Sequence, residues 1–170
     1  MIVRDLERLL CAHGVGGAKL DAVTRKLREC GRLPKGGRGT NAPEIGSNEA
    51  AMILIAIAGA GKGIEAEARL AKLDRMRTSS TKKLGKSLVE CLASLLDHPA
   101  ELEMVREVRI SRTTSRASFR YVSEETDQFL PNNSKAREDR FQVEGILPRE
   151  LLQTVAAALV SGQSEDADGT

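Results

Sequence analysis

Aromatic residues are nearly missing from this 170-residue chain, which has no tryptophan, one tyrosine and three phenylalanines. A core without large rings has to be filled by Leu, Ile, Val and Ala, which points to helices. The same scarcity argues against the base-stacking platforms of single-strand and RNA binders. Cysteine is sparse as well. Cys11, Cys30 and Cys91 are odd in number, far apart and each set in a helical pattern. They read as buried apolar side chains in a reducing compartment, not as a disulfide frame. The longest apolar run, residues 50–60, is about half of the ~20 residues that span a bilayer. Arg4, Asp5, Glu7 and Arg8 break up any leader-like pattern near Met1. A cytoplasmic protein without membrane contact, nucleoid-associated in a bacterium, is the expectation.

What is present is a soluble composition, 41% apolar and 29% charged. Such a length suffices for one core or for two small modules sharing one. The formal charge of +2 conceals an uneven distribution. Arg25, Lys26, Arg28, Arg32, Lys35 and Arg38 crowd one stretch against Glu29 alone, whereas residues 165–168 carry only negative charge. A near-neutral total can hide a basic face, and the face selects the partner.

Periodicity organises the chain. Ile2, Val3, Leu6, Leu9 and Leu10 predict an amphipathic helix ending near His13-Gly14. A second helix puts Leu20, Val23, Leu27 and Cys30 on one stripe, and Gly31 ends it as a C′ residue. Its opposite face centres on Arg25, flanked by Ala18, Asp21, Ala22 and Arg28. Residues 32–43 hold too much Gly and Pro for helix or central strand and read as an exposed, wing-like loop. Ser47 or Asn48 then caps a helix apolar nearly all round, with Glu49 in its first turn.

Ile64, Leu70, Leu73 and Met76 suggest a more polar helix, and Leu84, Leu88, Leu92 and Leu95 another ending at Asp97-His98-Pro99. From Val105 the period changes to two: Val108 and Ile110, then Ala117, Phe119 and Tyr121, predict a β-hairpin turning at residues 112–115. Residues 123–140 read as a polar loop, with a third strand at Phe141 and Val143. Pro148 suits the first position of a closing helix that faces Leu151, Leu152, Val155, Ala156 and Leu159 inward and ends at Gly162. The remaining acidic tail is expected to be disordered.

Several chemistries are tested and set aside. Gly59-Ala60-Gly61-Lys62-Gly63 has the look of a phosphate loop, but Ala56 stands where the first Gly belongs and Gly63 replaces the magnesium-binding hydroxyl. Ile64 breaks the dinucleotide pattern in the same way. Cys11 and His13 lack a second pair at metal-ligand spacing. No nucleophile and oxyanion hole come together, so no catalytic residue, cofactor or metal is expected, and the chain is read as non-enzymatic. The hairpin arginines Arg109, Arg116 and Arg120 alternate with the apolar positions and read as the wet face of a sheet. A second DNA contact or a protein-docking edge is the sharper alternative for them.

The basic stretch carries the functional expectation. Cations occupy both a helix face and the adjoining loop, the loop glycines permit close backbone approach, and a rigid apolar helix anchors the unit. Lys19, Thr24, Arg25, Lys26, Arg28, Arg32, Lys35 and Arg38 are the candidate DNA-binding residues.

Two helices, Gly31-Arg32-Leu33-Pro34, a Gly/Arg-rich wing and a helix opening at Ser47-Asn48-Glu49 resemble the winged-helix half of MerR-type regulators. The resemblance covers only the N-terminal part. It implies that Thr24, Arg25 and Arg28 face bases while Arg32, Lys35 and Arg38 contact phosphates. The string Leu33-Pro34-Lys35-Gly36-Gly37-Arg38-Gly39-Thr40-Asn41-Ala42-Pro43, followed by an Ala-rich helix, also resembles small uncharacterised regulators of alphaproteobacteria associated with prophages and gene transfer agents.

Together these readings predict an α+β protein. Residues 1–77 would form a winged-helix-like (helix-turn-helix) DNA-binding module. Residues 78–162 would add a helix, a small antiparallel sheet and a closing helix for dimerisation or partner binding, and residues 163–170 an acidic tail. The expected role is a sequence-specific regulator of transcription on double-stranded DNA, of phage or gene-transfer-agent origin. Another transcription or architectural protein, or a second copy of the chain, is the further expected partner. The alternative is an adaptor whose basic face binds an acidic protein or the transcription machinery.

Overall fold

The most apolar stretch becomes the axis of the fold. In the computed structural model, which describes residues 1–35, 42–78, 86–130 and 144–164, helix α3 (Ser47–Gly59) buries every residue except Asn48 and Glu49. A helix apolar all round has to be covered on all sides. Here α2 (Gly17–Glu29), α4 (Ala66–Asp74), α5 (Leu88–Asp97), α7 (Arg149–Ser164) and strands β2 (Val105–Ser111) and β5 (Glu144–Pro148) supply the cover. Ile53, Leu54 and Ile55 are at most 1% exposed, and each such side chain contributes roughly 1.5–3 kcal/mol by leaving water.

The described residues form a mixed α+β architecture of seven α-helices and one five-stranded antiparallel sheet. Strands β1 (Arg77–Thr78), β3 (Ala117–Tyr121) and β4 (Thr126–Leu130) complete the sheet, in the order β1-β4-β3-β2-β5. Its inner face presents Val108, Ile110, Ala117, Phe119, Phe129 and Leu147 to the helices. The rings of Phe119 and Phe129 meet edge to face, with centroids 5.0 Å apart, the arrangement their quadrupoles favour. One buried apolar cluster runs from Met1 through α3 to Leu159.

The predicted helices at either side of α3, the hairpin β2–β3 and the inward face of α7 are present as read. α1 spans Val3–Ala12, and Gly31 ends α2 with a φ of +71°, the left-handed conformation that glycine tolerates. Other expectations are corrected. Neither Ser47 nor Asn48 caps α3: Gly46 is the N-cap, and its N–H donates to Glu49 Oε2 at 3.0 Å. The Ser47 hydroxyl instead donates to Asp97, tying the start of α3 to the end of α5.

Within the stretch read as a loop from residue 123, β4 is a strand. Only Phe129 of its five residues is buried, so its alternation carries little apolar signal. Pro148 closes strand β5 opposite Glu107 instead of opening α7, and α7 passes Gly162 to reach Ser164. The two-residue β1 and the short helix α6 (Pro99–Leu102) had no periodic signature. Leu84, the third strand at Phe141 and Val143, and the tail lie outside the described residues.

The glycines around α3 mark close packing. A Cβ on Gly59 would lie 2.7 Å from Leu73 Cδ1, one on Gly63 2.4 Å from the Ala22 Cβ, and one on Gly145 2.1 Å from the Ala58 carbonyl oxygen. The run that resembled a phosphate loop is therefore where α4, the 3₁₀ turn Gly63–Glu65 and α2 press against one another.

Candidate nucleic-acid interface

α2 is positioned from below by Leu20, Val23 and Leu27, all at most 1% exposed. Its exit is fixed as well. The N–H groups of Arg32 and Leu33 both donate to the Leu27 carbonyl, at 2.9 and 3.3 Å, and Leu33 is 2% exposed. On the return, Ile45 is buried and its N–H donates to the Met1 carbonyl at 2.8 Å. The basic segment after α2 is thus pinned into the core at Leu33 and again at Ile45.

The structure distributes the candidate cations over three directions. Arg25 is exposed at the centre of the outward face, one turn from Asp21 on one side and from Glu29 on the other. Lys26 pairs with Glu29 at 3.4 Å. Arg28 leans toward α1, 3.9 Å from Glu7. Arg32 is partly exposed and Lys35 exposed. Lys19 is partly buried on the flank facing the 3₁₀ turn, and its ammonium is held below the ordinary lysine range, first by burial and then by the charge of Arg112. Arg38 lies outside the described residues.

Thr24 is the clear correction. It is 0% exposed, and its hydroxyl donates to Glu7 Oε1 at 2.7 Å, so it joins α2 to α1 and does not face outward. On the helical wheel it borders the Leu20–Leu27 stripe, and that border position is the signal that could have placed it. The cysteine reading is corrected too: Cys91 is buried, but Cys11 and Cys30 are exposed.

The sheet's outer face is charged but internally balanced. Glu107 accepts from Arg109 Nε at 2.7 Å and from Arg120 Nη1 at 3.1 Å, and Arg109 also meets Glu144 at 3.4 Å. Burial works against the Glu107 carboxylate, yet the two guanidinium groups outweigh it and hold its pKa below the usual range. Arg109 and Arg120 thus serve as the solvated face that alternation predicted. A groove of about 180 Å³ beside them is lined by Arg109, Arg116, Ser118, Thr126 and Gln128. A second concavity, of about 420 Å³, runs between α1 and α2 past Arg4, Glu7, Arg8, Cys11 and Asp21.

Among the described residues, no three His, Cys, Asp or Glu side chains gather closely enough to hold a metal ion. No helix there is long and apolar enough to cross a membrane. Comparison with family models, with curated proteins and with solved structures found no match to the chain.

Proposed function

We propose that the protein is a sequence-specific, double-stranded DNA-binding regulator of transcription without chemistry of its own, whose α2 and following basic segment form a winged-helix-like reading head. One observation carries this reading. Of the six cations from Lys19 to Lys35, Lys26 and Arg28 are in ion pairs, while Lys19, Arg25, Arg32 and Lys35 have no carboxylate partner among the described residues. They sit on a helix and an exit segment locked to the core, so their positions are set before any partner arrives.

In this reading affinity comes from phosphate neutralisation by Arg32, Lys35 and Arg38, and specificity from Arg25, whose guanidinium can grip guanine O6 and N7. Asp21 and Glu29 beside it are acceptors suited to a cytosine amino group. Arg28, shared with Glu7, has a smaller part, and Thr24 has none. The portion after residue 77 supplies dimerisation or a contact to another transcription or architectural protein. A prophage or gene-transfer-agent origin, with nucleoid association, belongs to the same proposal.

A second reading is favoured by one feature: Asp21, Arg25 and Glu29 alternate in sign across the exposed centre of α2, which suits an adaptor binding a protein surface of mixed charge. Incubation with fragmented genomic duplex at low salt, followed by sequencing of the retained fraction, separates the two. The regulator reading expects a shared sequence to be enriched, and expects Arg25→Ala to retain DNA while losing that enrichment. No retention by the folded protein would leave the adaptor reading in place.

A further inference from the structure

Three cations meet at the end of α2 remote from Arg32, and none has a carboxylate partner among the described residues. Lys19 lies in the first turn of α2. Lys62 is exposed and directly precedes Gly63, whose Cβ position lies 2.4 Å from that of Ala22, one helical turn on from Lys19. Arg112 opens the β2–β3 turn, and its Nε donates to the Ala58 carbonyl at 2.9 Å, near the end of α3 from which the Lys62 segment departs. Arg112 is close enough to Lys19 to depress its proton affinity.

The turn that carries Arg112 is itself held. Arg69 Nη2 donates to the carbonyls of Ser111 and Thr114, and the Thr114 N–H donates to Ser111 Oγ at 3.0 Å. Glu65, on the same 3₁₀ turn as Gly63, exerts its charge on Arg69. The Ala58 carbonyl accounts for one bond of one cation and leaves the terminal nitrogens of Arg112 unengaged among the described residues. Like charges brought together on a rigid frame repel one another, and an anion seated between them reverses that repulsion.

We propose that Lys19, Lys62 and Arg112 clamp a phosphodiester of duplex DNA, forming a second grip at the end of α2 opposite to Arg32 and Lys35. The clamp rests on the DNA-binding reading above and extends it, because Lys62 and Arg112 lie outside the basic stretch on which that reading stands. The geometry suits two grips. From Lys19 to Arg32 the chain advances roughly 20 Å at about 1.5 Å per residue. The major groove is only about 12 Å wide, so a helix lying in it brings its two ends to the two flanking backbones.

The test is duplex affinity across a salt series, for wild type, Lys62→Ala, Lys19→Ala/Lys62→Ala and the charge-conserving Lys19→Arg/Lys62→Arg. Each lost phosphate contact lowers the slope of log affinity against log salt by about 0.9. The double alanine variant should therefore lose about 1.8 of slope, shrinking the affinity drop between about 50 and 200 mM salt by roughly 12-fold. Lys62→Ala should lose about half of that slope. The arginine variant should keep the wild-type slope, and chemical denaturation should show all four folded. Wild-type slope and affinity in the alanine variants would overturn the clamp while leaving the DNA-binding reading intact. No duplex affinity in wild type at low salt would overturn both.

Discussion

Replacing Gly63 by alanine should loosen the join between the 3₁₀ turn and α2, and the structure sets the size of the effect. The new methyl would lie 2.4 Å from the Ala22 Cβ and 3.2 and 3.3 Å from the Ala22 carbonyl carbon and Cα. Carbon atoms rest at about 3.5–4.0 Å, so the turn has to retreat by roughly 1 Å or more. Overpacking of this kind costs about 1–3 kcal/mol, and a clash with helix backbone belongs in the upper half of that range. Ala22→Gly alone should cost about 1 kcal/mol, the ordinary penalty of glycine inside a helix. The double variant removes the 2.4 Å contact and keeps the other two. It should fall short of the summed losses by about 1 kcal/mol, the signature of residues in direct contact. Midpoints of chemical denaturation at constant m-value give all three differences. An additive double variant, or a Gly63→Ala variant within about 0.5 kcal/mol of wild type, would refute the close approach.

Gly145→Ala should be more severe, about 3 kcal/mol or above, because its Cβ would lie 2.1 Å from the backbone oxygen of Ala58 and no side chain can turn aside; denaturation midpoints check it. Thr24→Val should cost about 1.5–3 kcal/mol by removing a hydrogen bond to the Glu7 carboxylate. It should leave duplex affinity unchanged, and a drop in affinity without a drop in stability would return Thr24 to the binding face. Tyr121 is the only tyrosine. Burial and then the bond from its hydroxyl to Asp127, 2.7 Å long, raise its pKa. Above about pH 10 the unfolded chain loses that proton first, so the folded state holds more protons and stability falls as pH rises. Phenolate absorbance should show a midpoint above the ordinary value, moving down in Asp127→Asn. A midpoint at the ordinary value in wild type would contradict the buried hydrogen bond.

The elements that could be read from the sequence are those whose burial is periodic. α1, α2, α3, α5, α7 and the β2–β3 hairpin each turn a regular apolar stripe inward. β1 and β4 escaped detection because a two-residue strand has no period and β4 buries Phe129 alone. β5 was displaced by Pro148, which the sheet accepts at the end of an edge strand.

Within the interface, composition identified the basic segment, but pairing could not be seen. Glu7 is distant in sequence from Arg28 and Thr24, yet α1 brings it to both. Lys62 and Arg112 were invisible as neighbours of Lys19 for the same reason. Only the stacking of Gly63 on Ala22 and the Arg112 bond to Ala58 bring them to one end of α2.

The salt dependence of duplex affinity, compared between wild type and Arg25→Ala/Arg32→Ala/Lys35→Ala, tests the central claim most directly. A regulator gripping DNA through these cations predicts a steep negative slope in wild type and one shallower by about 2.7 in the variant, about 0.9 for each lost contact. A folded wild-type protein with no affinity for duplex at low salt, or a slope that the three substitutions leave unchanged, would contradict it.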